Sequence, residues 1–123
     1  MKMLKTLLFN VKKNTMTEVE IEDKLQLFYA ALGVDIIELP MRSIGGKAFT
    51  IMCDEEGLLK DGAVASCISR TNRHDLIVGN VMFFNDNGCG DLKSLTEDDI
   101  DLIRSNVGLA QDRYGIHRVV IMD

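Results

Sequence analysis

Tryptophan is absent from this chain, and proline occurs once, at Pro40. No proline-rich linker, low-complexity run or internal repeat divides the 123 residues, which fit one α+β domain over 1–123. Long apolar runs are missing too. The basic, apolar start MKMLKTLLFNVKKN resembles a signal peptide, but its longest unbroken apolar run is Leu7-Leu8-Phe9. No segment is long enough to span a bilayer, so a membrane partner is not expected and a first β-strand in a cytoplasmic protein is. Cysteine is scarce: Cys53, Cys67 and Cys89 are too many for one disulfide, too few for two, and widely spaced. They read as reduced thiols, two in the core and one in a loop. The two histidines, His74 and His117, lie in no nucleophile or metal motif and do not pair at helical spacing. No catalytic residue, metal or cofactor is therefore expected. Positive charge is in deficit, with a net charge of −5. That argues against duplex DNA or RNA as a partner, and it leaves room for a small anion in a local basic pocket.

What is present is regular patterning. Met3–Val11 has leucines on both faces and predicts a central strand, and Thr17–Ile21 alternates as a half-exposed strand does. Asp23–Leu32 predicts a short helix. Its stripe is Leu25, Phe28, Tyr29 and Leu32, and Gly33 stops it. The apolar run Val34–Met41 and the strand Lys47–Asp54 read as antiparallel neighbours across an SIGG turn at Ser43–Gly46. Ala63–Ile68 is ambiguous between strand and one helical turn. Asp75–Phe84 is the longest strand candidate.

SLTEDD then opens a helix, with Thr96 and Asp99 as a capping box, or Ser94 and Glu97 in another register. The acids Glu97, Asp98, Asp99 and Asp101 suit the positive end of its dipole. Ile100, Ile103, Val107, Ala110 and Tyr114 keep helical spacing, Gly115 closes it, and His117–Met122 is a last strand. The expected fold class is α+β: a mostly antiparallel or mixed sheet with two main helices packed on one face.

Few residues could carry recognition. Phe83 and Phe84 are adjacent, so on a strand they face opposite sides. On a sheet covered on one side, one of them is left for a ligand or a partner, and aromatic faces stack on bases. Asn85 and Asn87 are turn formers, and amides beside an aromatic also read base edges or ribose. Asn85–Gly88 begins like a calcium loop but lacks the glutamate at its twelfth position. Arg104 lies at the edge of the apolar stripe, Arg113 ends the predicted helix and Arg118 alternates with apolar neighbours on a strand. Arginines converging from helix and strand would suit phosphate through their donor forks. Arg70 and Arg73 stand in a short basic run before Asp75.

The ordered set IIELPM, MCDEEGLLK, Asn72-Arg73, DLIVGNVMFF and SLTEDDI spans Ile36–Ile103. It resembles a phage and bacterial family known as a domain of unknown function. Within that family the chain looks most like the phage anti-Thoeris sponge proteins, the first type of Thoeris anti-defence protein. The resemblance implies a non-enzymatic anti-defence role in the cytoplasm of an infected bacterium. Such proteins bind cyclic ADP-ribose isomers made by TIR-domain proteins, in pockets between protomers of a dimer. Some assemble as hexamers and also hold cyclic trinucleotides of the CBASS system, an anti-CBASS activity. By the resemblance, the base-stacking phenylalanine falls on Phe83 or Phe84. The phosphate-binding arginines fall on Arg73, Arg104 and Arg118, with Arg70 the alternative to Arg73. The competing expectation is an oligomeric interaction module with no small-molecule ligand.

Overall fold

A computed structural model gives the fold and describes residues 2–60, 62–86, 88–113 and 115–123. The described residues form eleven strands, two α-helices and a 3-10 turn. β1 (Met3–Asn10) and β2 (Thr15–Glu22) make a hairpin, and α1 (Leu25–Leu32) follows. Next come the short β3 (Ile37–Glu38) and β4 (Met41–Ile44), β5 (Lys47–Asp54) and the 3-10 turn Gly57–Leu59. Then come β6 (Ala65–Ser69), β7 (Leu76–Val78), β8 (Val81–Asp86) and β9 (Leu92–Lys93). The chain closes with α2 (Glu97–Ser105), β10 (Val107–Asp112) and β11 (Gly115–Met122).

The strands form two sheets. The larger runs β2-β1-β8-β5-β3, with β4 also on β5 and β9 on β8, and every pair in it is antiparallel. The smaller runs β10-β11-β6-β7, where β11 and β6 are parallel. The class is thus α+β and dominated by sheet. No helix among the described residues is long and apolar enough to cross a membrane.

Several expectations hold at the level of local chemistry. Gly33 takes φ 70° and its N–H closes α1 on the Tyr29 carbonyl at 2.8 Å. Thr96 accepts from the Asp99 N–H at 3.1 Å while the Asp99 carboxylate accepts from the Thr96 N–H at 2.8 Å, the reciprocal cap of α2. Ala63–Ile68 resolves as strand, giving β6. Cys53 and Cys67 are buried thiols and Cys89 is exposed. Burial pushes both buried thiols up to about 12, with Glu38 adding to the effect at Cys53, so they stay protonated and act as small apolar groups.

Other expectations are corrected. The apolar run Asp75–Phe84 is two strands. Gly79, at φ 81°, breaks it and sends β7 to the small sheet and β8 to the large one. The helix from SLTEDD stops at Ser105. The stretch beyond it contains Gly108, which costs about 1 kcal/mol in a helix interior. Pairing with β11 from Val107↔Val120 to Asp112↔Gly115 wins over the helical spacing. Tyr114 lies outside the described residues. The α1 stripe is narrower than expected, because only Phe28 and Leu32 of the helix are buried and Leu25 is exposed.

The two helices also lie on opposite faces of the large sheet. Leu4, Met52, Met82 and Phe84 pack with Phe28 and Leu32 of α1. Leu7, Phe9, Ile51 and Phe83 pack with Ile100 and Ile103 of α2 and with Cys67, Val120 and Met122 of the small sheet. The layers are α1, large sheet, then α2 with the small sheet. This two-sided burial explains why β1 and β8 read as continuous apolar runs.

Candidate functional site

The strand β8 is central, held between β1 (Leu7↔Phe83) and β5 (Ile51↔Phe83, Thr50↔Phe84). Its two phenylalanines point to opposite faces, and both faces are covered. Phe83 and Phe84 each have 0% exposure. Phe84 meets Phe28 of α1 edge-on, with centroids 5.9 Å apart and planes at 66°. Thr6, equally buried, donates its hydroxyl to the Phe83 carbonyl at 2.7 Å. The expectation that one ring would be left over rested on a one-sided sheet. Within this chain neither ring offers a face to solvent.

The loop after β8 is tied down at its start. Asn85 donates its amide to the Asp99 carboxylate at 2.7 Å and to the Ser94 carbonyl at 3.1 Å. Lys47 reaches the same carboxylate and lies 5.3 Å from the Phe49 ring centre. Burial of Asp99 would raise its pKa. The Lys47 ammonium, the Thr96 N–H and the Asn85 amide outweigh that and lower it to about 2. Asn85 thus joins β8 to the α2 cap. Asp86 takes the Gly88 N–H at 2.5 Å, as a turn former does. Asn87 lies outside the described residues. No cluster of three or more metal-ligating side chains occurs among the described residues.

The arginines separate into two groups. Arg104, in the last turn of α2, and Arg118, midway along β11, line one open cleft of about 350 Å³ with Met16 and Val107. Arg104 Nη2 donates to the Met16 carbonyl at 3.3 Å, which pins the guanidinium over the start of β2. The Arg118 N–H donates to Asn14 Oδ1 at 3.1 Å, and Asn14 takes the left-handed φ of 56° in the β1–β2 turn. Neither guanidinium is in an ion pair among the described residues. The Lys5 hydrogen bond chiefly lowers the pKa of nearby Glu97, and the charge of Arg104 adds weakly to this.

The rest lie elsewhere. Arg113 stands in the turn between β10 and β11, not at a helix end. Arg70 and Arg73 occupy the loop between β6 and β7, where the Arg70 N–H donates to the Met122 carbonyl at 2.8 Å. Four residue steps along β11, roughly 13 Å at strand rise, lie between Met122 and Arg118. Sequence reasoning did not single out Met16 or Asn14. It also passed over Arg42, which grips Asp75 with two nitrogens at 2.9 and 3.1 Å.

A family model described as Domain of unknown function (DUF3846) matches residues 3–108. The matched stretch includes Arg104 and stops within β10, before Arg118. No curated protein and no solved structure matches the chain.

Proposed function

The chain belongs to the DUF3846 family, and from that premise we propose that it binds and holds a phosphate-bearing nucleotide signal without cleaving it. The observation that carries this reading is the cleft between Arg104 and Arg118. Two arginines lining one half-open cavity suit the charges of a diphosphate, because each guanidinium can fork onto two oxygens. Met16 and Val107 supply apolar wall for a base or a sugar face. An arginine keeps its proton at any physiological pH, so this lining binds anions and offers no general base.

The resemblance of the IIELPM to SLTEDDI motifs to the anti-Thoeris sponge proteins narrows the ligand. It favours a cyclic ADP-ribose isomer made by a TIR-domain protein, with cyclic trinucleotides of CBASS as further ligands. In this reading the protein is a phage anti-defence sponge acting in the cytoplasm of an infected bacterium, as a homo-oligomer. A second protomer would close the open side of the cleft. Leu109 and Ile116, 74% and 68% exposed on the neighbouring hairpin, supply surface for that contact. Phe83 acts here as core beneath α2 and Phe84 as core beneath α1, and the base rests on the cleft's own wall.

The test is retention. Protein is incubated with TIR-made and cyclase-made signals, washed by filtration and heated, and the released compound is identified by mass spectrometry. Intact cyclic ADP-ribose isomer, lost in Arg104→Ala and Arg118→Ala, is the expected result. A hydrolysed product would overturn it. The exposed Leu109 and Ile116 also favour a second reading, an oligomeric interaction module. That reading predicts a stable oligomer that retains none of the signals.

A further inference from the structure

A second cleft, of about 320 Å³, opens where the chain crosses between the two sheets. Its wall comes from the β1–β2 turn, the end of α1, the end of β5, the 3-10 turn and the Gly79-Asn80 crossing. It shares no residue with the arginine cleft. Three features decide what it could take.

The first is its surface, which is mostly aliphatic: Val11, Leu32, Val34, Ala63 and Val64. Glycines keep it open. At Gly33, Gly62 and Gly79 a methyl group would meet nothing within 4 Å. At Gly57 a methyl would come within 2.8 Å of the Val78 side chain, so only glycine lets the 3-10 turn close this wall against β7.

The second feature is charge. Asp54, which is buried, is paired with Lys60, and Lys12 has no ion pair among the described residues. Lys60 is held by Asp54, with Asp35 and Glu56 also acting on it, so Lys12 is the cation of the wall left for a ligand. The third is a directed donor. Asn80 spends its carbonyl oxygen on the Val11 N–H at 3.0 Å, which leaves its NH2 to donate.

We propose that this cleft is a binding site for a small organic monoanion, a carboxylate on an aliphatic or aromatic body, placed between Lys12 and Asn80. Its volume is at the small end for ligand pockets, which suits a small body. One lysine without an ion-pair partner among the described residues, Lys12, matches a carboxylate better than a phosphate dianion. The proposal is independent of the nucleotide reading, since Arg104→Ala and Arg118→Ala leave this cleft intact.

The experiment follows the backbone amides of Gly33, Gly62 and Gly79 by 15N–1H NMR in the full chain. Hexanoate, 1-hexanol and inorganic phosphate are titrated separately. Hexanoate should move these amides saturably. Hexanol should bind about tenfold more weakly, the cost of losing one hydrogen bond to a charged group, and phosphate should not move them. Ala63→Leu should fill the cleft and abolish the response. Lys12→Gln, at an exposed position that does not endanger folding, should weaken hexanoate and leave hexanol unchanged. The proposal is overturned by no saturable response to hexanoate, by equal responses to hexanoate and hexanol, by phosphate competing as well as hexanoate, or by hexanoate binding unchanged in Lys12→Gln.

Discussion

The end of β8 and the cleft at the end of α2 present opposite solutions to similar raw material. Both bring together side chains able to recognise a nucleotide. At β8 the aromatics are closed in, because α1 covers one face of the large sheet and α2 with the small sheet covers the other. At the cleft the arginines are left open, because α2 stops at Ser105 and β10 turns away into a hairpin. An aromatic pair on a central strand becomes core when both faces have partners. A cation stays open to solvent when the next element leaves a gap beside it.

This contrast can be broken at several points. The largest effect is expected from Phe83→Ala and Phe84→Ala, each costing about 3–5 kcal/mol of stability as buried aromatics do, measured by urea unfolding. A cost below about 1 kcal/mol for either would mean that its face is not filled.

Next comes Asp99. Its folded pKa is about 2 against an ordinary 3.8. The stability it contributes is complete above the ordinary value and is lost as pH falls from about 4 through about 2. The shift corresponds to about 2 kcal/mol. Unfolding curves from pH 5 to pH 2 should show that loss in the native chain, and Asp99→Asn should be flatter over the same window. Parallel curves would remove the hub role of Asp99.

Smaller in free energy is the loss of one arginine from the cleft. Arg104→Ala or Arg118→Ala should weaken retention of a cyclic ADP-ribose isomer at least tenfold, about 1.4 kcal/mol, by calorimetry. The smallest effect sharpens the comparison most. The same two variants should unfold within about 0.5 kcal/mol of the native chain, as exposed surface sites do. A larger loss would make these arginines structural.

Much of the fold was legible where a local signal decided the outcome. Gly33 stops α1, Thr96 and Asp99 start α2, and leucines on both faces mark β1 as central. The failures share a cause. The helical spacing from Val107 to Tyr114 lost to a partner strand that comes later in the chain. The run Asp75–Phe84 concealed a change of sheet that only Gly79 betrayed. Side-chain period reports one element at a time, and these outcomes depend on what packs across from it. The site divides in the same way. Arg104 and Arg118 could be chosen by type and position. Met16 and Asn14 meet them through the β1–β2 turn, and no spacing along the sequence encodes that meeting.

The crossing at Gly79 has a consequence in time. Because the chain leaves the small sheet after β7 and returns to it at β10, neither sheet is a continuous segment, and the small sheet is finished only by the last two strands of the chain. The parallel pairing of β11 with β6, Val120 opposite Cys67, closes the longest loop of the small sheet. Contacts across so long a loop are expected to form late in folding. Arg118 rides on that strand, so its cleft exists only once β11 has paired with β6. Capture of a nucleotide during refolding, followed by stopped-flow mixing, should begin only when β11 pairs with β6, and ligand capture would then serve as a clock for the arrival of that pairing.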